Sequence, residues 1–403
     1  MESSENSEVD DQKTISNVKV RVVGFFILVI VIGVGLAHIF TTTLNQGYYT
    51  DNQTNSIVGT SLMMTGFFVV LGFALTFSYY GESVLTAFFT VIYIVSATMI
   101  LEPLILKFWI NLFNQGFNSN LNTTIASVVV LFTSNDGLSV SINFWNMKVA
   151  MLCSIAQLLM YFAILGRIQI YKVMVANIFF IFAWTLNYAI VTHMYTKSFD
   201  SRINDDFSID FTYLYGGFAG LVAILDTPSR LVGKIRSRRF HPQYPKILAM
   251  LGNIFLCLGF VFTHAIVGKK DNVAAFTLST DQRAVFMPEG AIGVFFAISS
   301  SVVSIGAWGV IFNQFDRMQL VDFLGSSIAG ALMFGPVANF ANNLAIPIVL
   351  GMAAGFVCTL YKSKIMPKIN RKNIKDSLGL LGPFFICPIL GNFIAAPVII
   401  YCY

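Results

Sequence analysis

Apolar runs of about 20 residues recur along almost the whole chain, each bounded by a short polar stretch rich in Gly, Pro or Asn. A run of about 20 apolar residues is what an α-helix needs to cross the hydrocarbon core of a bilayer. In lipid, a helix also satisfies every backbone group within the segment. The pattern predicts spans at 20–41, 56–79, 83–106, 146–166, 169–194, 211–226, 245–266, 286–312, 318–337, 342–361 and 378–401. The expected fold class is therefore an all-α polytopic membrane protein with about 11 transmembrane helices. Residues 1–18 form an acidic, polar tail, and 19–403 read as one transmembrane domain, because nothing between the spans is long enough to be an interdomain linker.

The charges between the spans set an orientation. Basic residues cluster on alternate loops, as in Arg236, Arg238 and Arg239, and again in Lys362, Lys364, Lys368, Arg371, Lys372 and Lys375. The other side is left with Lys107, Lys148, Lys197, Arg202, Lys269, Lys270 and Arg283. Loops that stay inside carry the Lys/Arg excess, so the N-terminus is expected inside and the C-terminus outside. Composition agrees: 56% of residues are hydrophobic and 11% charged, against roughly 25% charged in soluble domains. The net charge of +5 comes from the inner loops and reports insertion. It makes membrane lipids, and no nucleic acid, the expected contacts.

Candidate chemistry is sparse. Cys153, Cys257, Cys358, Cys387 and Cys402 lie in or at the end of spans without a Cys-x-x-Cys pair, as buried small hydrophobes do. His38, His193 and His264 sit at the outer ends of spans with no metal-ligand spacing, and no nucleophile–base set or cofactor motif occurs. No enzyme, cofactor or metal is expected. Glu102 and Glu289 stand beside prolines near span ends, where water or helix ends would satisfy them. Asp322 reads as a helix cap. Sequons at Asn52 and Asn122 fall on the outer side. Small residues recur at Gly216 and Gly220, Ser300 and Ser304, Gly330 to Gly335, and Gly351 and Gly355, the spacing that brings membrane helices into close contact.

One correspondence points to internal duplication. Asp205 precedes Tyr213 at the entrance of the sixth span, and Asp376 precedes Phe384 by the same interval at the entrance of the eleventh. Five spans separate the pair. An odd number inverts the orientation, so spans 2–6 and 7–11 form an inverted repeat after one extra N-terminal helix.

Several stretches resemble the ammonium transporter/Rhesus glycoprotein (Amt/Rh) family. Tyr213-Leu-Tyr-Gly-Gly-Phe-Ala-Gly-Leu-Val-Ala-Ile-Leu225 is similar to the family helix that begins with the first pore histidine. Asp376-Ser-Leu-Gly-Leu-Leu-Gly-Pro-Phe384, with Pro388-Ile-Leu-Gly391, resembles the segment carrying the second. Leu324-Gly-Ser-Ser-Ile-Ala-Gly330 resembles a further family helix, and Thr76-Phe-Ser-Tyr-Tyr80 with the first span resembles the Rhesus branch.

In that family two facing histidines share a proton and relay or deprotonate the substrate, which imidazole does well near neutral pH. Here the first position falls on Tyr213. The second falls on Phe384 counted from Asp376, or on Phe385 counted back from Pro388. Phenylalanine has no hydrogen-bonding group. Of the aromatic pair that gates the outer pore, Phe262 matches one member and Leu152 (or Phe144) falls at the other. Asp205 and Asp376 match structural acidic residues, and His264 is a candidate for the pore mouth. The chain stops at Tyr403, where the family normally continues into one more outer helix, whose absence would leave an exposed groove.

The resemblance without its histidines implies a pseudo-transporter: a non-transporting structural subunit of a larger membrane protein complex, partnered by other membrane subunits. The alternative is a channel for ammonia, ammonium, carbon dioxide or another small neutral solute, with the family homotrimer as its assembly. The mitochondrial inner membrane is the expected location, the plasma membrane the alternative.

Overall fold

The computed structural model describes residues 42–44, 52–79, 84–116, 140–142, 144–164, 170–198, 207–226, 243–269, 283–286, 288–312, 323–338, 344–371 and 381–402. The acidic tail, the first predicted span, His38, Asp205, Asp322, Asp376 and the Asn122 sequon lie outside the described residues.

The described chain is nearly all helix. In order come β1 (Thr42–Leu44), α1 (Asn52–Tyr79), α2 (Val84–Gly116), β2 (Val140–Ile142), α3 (Phe144–Ile164), α4 (Ile170–Ser198) and α5 (Phe207–Asp226). Then follow α6 (Gln243–His264), β3 (Ile266–Lys269), β4 (Arg283–Phe286), α7 (Pro288–Phe312), α8 (Ala329–Phe334) and α9 (Ala345–Leu360). A π-turn at Tyr361–Ile365 leads into α10 (Met366–Arg371), and a second at Gly382–Ile386 into α11 (Cys387–Cys402). Among the described residues, six helices are long and apolar enough to cross a membrane: Ile57–Phe77, Ala87–Ile110, Lys172–Val191, Lys246–His264, Gly290–Gly309 and Ala345–Ile369. Large apolar side chains such as Met63, Phe67, Phe179 and Phe393 point outward. In water such a surface would drive association; against lipid it costs nothing.

Two predicted spans differ in form. The one expected to end at 106 continues through Pro103 to Gly116, because a membrane helix can have its freed carbonyls re-satisfied by neighbouring groups. The one expected over 318–337 is broken. Turns at 324–328 precede α8 and a 3₁₀ turn at Gly335–Val337. Gly325 has φ 78, which a residue without Cβ adopts at no steric cost.

The packing repeats with a shift of five spans. α1 and α6, the first helices of the two halves, pack on each other. A Cβ added to Gly72 would stand 2.8 Å from the Leu256 amide nitrogen, and one on Gly252 would stand 2.7 Å from that of Thr76. The α2–α4 contact of the first half returns as α7–α9 in the second, and α3–α5 returns as α8–α11. The last equivalence extends to single glycines, with Gly216 against the Ala156 carbonyl and Gly391 against the Met333 carbonyl. Ser300 and Ser304 face Gly351 and Gly355, so these small-residue pairs pack helices within one chain.

Hydroxyls in the bundle mostly fold back onto their own helix. Thr65, Thr185, Thr263 and Thr359 each donate to the carbonyl four residues earlier, a local solution open to Ser and Thr in a helix. One end of the bundle is closed by two short sheets, β1 parallel to β2 and β3 antiparallel to β4, with Ile266 opposite Phe286.

Candidate functional site

Two aromatic groups occupy the centre at the positions singled out in the sequence. Tyr213, on α5, is completely buried. Its ring lies 5.2 Å from Phe260 and 6.2 Å from His264 of α6, two residues one turn apart and therefore on one face. The Nδ1 atom of His264 is 2.8 Å from the Phe260 carbonyl oxygen. A carbonyl only accepts, so Nδ1 carries the proton and Nε2 presents its lone pair. Nε2 is buried and has no hydrogen-bond partner among the described residues.

Phe384 reaches the same region from the π-turn at Gly382–Ile386. Pro388 has no N–H for the Phe384 carbonyl, and that carbonyl abuts Gly217, one turn beyond Tyr213. No side chain larger than hydrogen fits there. Phe384 is buried, and its ring stands edge-on to Phe162 at 6.2 Å. Phe162 in turn lies 5.1 Å from Phe77 and 6.5 Å from Phe73. Phe385 turns the other way. With Tyr215, Phe218, Ile389 and Phe393 it lines an apolar surface cleft of about 640 Å³. Of the two residues the sequence left open, Phe384 is the one directed into the bundle.

Other candidate residues are placed differently from one another. Phe262 is half-buried and stacks on Phe68 at 5.8 Å, on another face of α6 from Phe260 and His264. Leu152 is fully buried in α3, and Phe144 lies against Gly59. His193 falls in α4, near its C-terminal end, and Asn52 in the first turn of α1.

Two charged residues are corrections to the sequence reading. Lys148, expected on the polar surface, is only 3% exposed. Its Nζ donates to the Ile266 carbonyl and sits 4.9 Å from the Trp145 ring centroid, a cation–π geometry. The β3–β4 hairpin packs at this end of α3, a long-range contact that no local pattern around Lys148 announces. Glu102, expected near water at a span end, is completely buried because α2 continues past Pro103.

Polar side chains collect away from the aromatic centre. Thr98 of α2 donates to Gln157 of α3 at 2.9 Å, and Gln157 donates to Asn177 of α4. In the second half, Asn253 donates to Ser327 at 2.7 Å and accepts from the Gly325 amide at 3.4 Å, holding the broken segment to α6. The sequence reading missed Phe260, Phe162 and the Gln157–Asn177 pair. The spacing of Phe260 from His264 was the one signal that could have found the first.

The arrangement resembles known membrane folds. Along 86% of this chain and 84% of the other, it superposes on the channel in "Nitrosomonas europaea Rh50 and mechanism of conduction by Rhesus protein family of channels", with TM-score 0.61 and 16% identity. A "Sensor Amt Protein" superposes with TM-score 0.53 and 14% identity over 87% of this chain and 89% of that one. At those identities the likeness is one of fold. No protein-family model matches the chain. The sequence itself is 23% identical, over 254 residues, to the ammonium transporter Rh type C of Gasterosteus aculeatus, spanning 60% of this chain and 46% of the relative. The chain has an Amt/Rh-like fold and a distant sequence similarity to Rh type C ammonium transporters. It spans about half the length of the curated relatives it matches. The likeness extends over most of the chain, and within it Tyr213 and Phe384 are both buried.

Proposed function

We propose that this chain is a non-transporting Amt/Rh-fold protein that serves as a structural subunit of a larger membrane assembly. The observation that carries the reading is the buried aromatic series Tyr213–Phe260 and Phe384–Phe162–Phe77. The Phe rings of this series offer no donor or acceptor along which a proton or a stripped ammonium ion could pass. Removing hydration from a cation without replacing it by polar groups is costly. Purification in mild detergent tests the assembly: the chain should elute with other membrane subunits in fixed ratio. A homotrimer of this chain alone would contradict the proposal.

A second reading is favoured by one observation. His264 holds a buried lone pair beside Tyr213, without a hydrogen-bond partner among the described residues, as a group lining a pathway for neutral ammonia or carbon dioxide would. Flux through reconstituted protein separates the two readings. For placement, the alternating basic loops support an N-terminus inside, and a degenerate carrier recruited as a subunit fits the mitochondrial inner membrane. Glycans on Asn52 or Asn122 would instead place it on the secretory route.

A further inference from the structure

The most unusual buried group lies away from the aromatic centre. Glu102 sits within the Ala87–Ile110 span with no exposed surface, and neither carboxyl oxygen has a hydrogen-bond partner among the described residues. One turn earlier on α2, Thr98 donates to the Gln157 carbonyl oxygen at 2.9 Å, and the Gln157 amide donates to the Asn177 side-chain oxygen. On α3, Cys153 lies one turn from Gln157 and within electrostatic reach of Glu102. Thr98, Cys153, Gln157 and Asn177 are all buried to 1% exposure or less.

An ionised carboxylate in this position would have no exposed surface and, among the described residues, no donor, a costly state in a membrane interior. A metal cation would need several oxygen ligands, and among the described residues no group of three or more His, Cys, Asp or Glu could hold one. A proton needs no coordination shell. It also turns the carboxyl into a donor, in a stretch where Pro103 leaves the Met99 carbonyl without its helical N–H.

We infer that Glu102 is an intramembrane proton-binding carboxyl between α2, α3 and α4, separate from the aromatic centre and open to covalent capture by hydrophobic carbodiimides. In that capture the carboxyl proton moves to one nitrogen of the N=C=N group and the carboxyl oxygen bonds its central carbon. The acyl group then shifts to nitrogen, giving a stable N-acylurea with no group lost and no oxidant consumed. An ionised carboxylate in the bilayer lacks the proton this addition requires.

The test uses the full chain in native or reconstituted membranes, treated with dicyclohexylcarbodiimide and digested for mass spectrometry. The expected result is an adduct on Glu102. The neutral-carboxyl carbonyl band of the infrared spectrum should also be present in the wild type and missing in Glu102→Gln. Adducts confined to other carboxyls, or wild-type and Glu102→Gln spectra that superimpose in that band, would overturn the inference. Should Glu102→Gln fail to fold, presence or absence of the wild-type adduct decides the matter alone.

Discussion

The centre of the bundle and the seam between α2, α3 and α4 lie within one fold and are built from opposite materials. The centre holds two sets of rings, Tyr213 against Phe260 at 5.2 Å, and Phe384, Phe162 and Phe77 in succession at 6.2 and 5.1 Å. The seam joins Thr98, Gln157 and Asn177 through side-chain hydrogen bonds and buries Glu102 beside them. In a family whose members resemble this chain in fold, polar chemistry would be expected on the axis. Here rings predominate at the centre, with the Tyr213 hydroxyl and His264 among them, and the Thr98–Gln157–Asn177 hydrogen bonds lie in the seam. Close contact of small residues holds the helices of the two halves whatever stands at the centre.

The largest test of that contrast is truncation of the rings. Phe162→Ala and Phe384→Ala should each lower the unfolding free energy by about 3–5 kcal/mol, the cost of a large cavity in a close-packed core. Denaturant titration in detergent micelles would measure it. The neighbouring Phe385→Ala, which only enlarges a surface cleft, should cost less than about 1 kcal/mol. Equal costs at 384 and 385 would undo the assignment of one ring to the inside and the other to the outside.

The seam should respond to loss of a partner. Gln157→Leu keeps the volume but leaves the Asn177 oxygen without its donor, at a cost of about 1–3 kcal/mol. A neutral result by the same titration would mean that the seam is not the continuous network described. The smallest effect is expected at Ser304, whose hydroxyl donates to the Met352 carbonyl at 2.7 Å. Ser304→Ala should cost about 0.6 kcal/mol, the typical value for a hydrogen bond between membrane helices.

Much of the fold was legible because the bilayer imposes length and polarity together: apolar runs and alternating basic loops are strong signals, and the five-span interval from Tyr213 to Phe384 exposed the repeat. The site was less legible. Counting along the chain left 384 and 385 equivalent, and only the π-turn, with Pro388 freeing the Phe384 carbonyl towards Gly217, separates inward from outward. Phe260 gave a weak signal, since Phe is common throughout the chain. Pro103 misled for a physical reason. Proline usually ends a helix in water, but not where neighbouring groups can satisfy the freed carbonyl, and so Glu102 was read too close to the surface.

The central claim is that the aromatic centre does not conduct. It is tested most directly by reconstituting the purified chain in liposomes loaded with a pH-sensitive dye and following the rate of internal alkalinisation after an inward ammonia gradient is imposed. The account predicts a rate equal to that of protein-free liposomes. A faster rate that scales with the amount of protein, and that falls when Tyr213 or His264 is replaced, would contradict it.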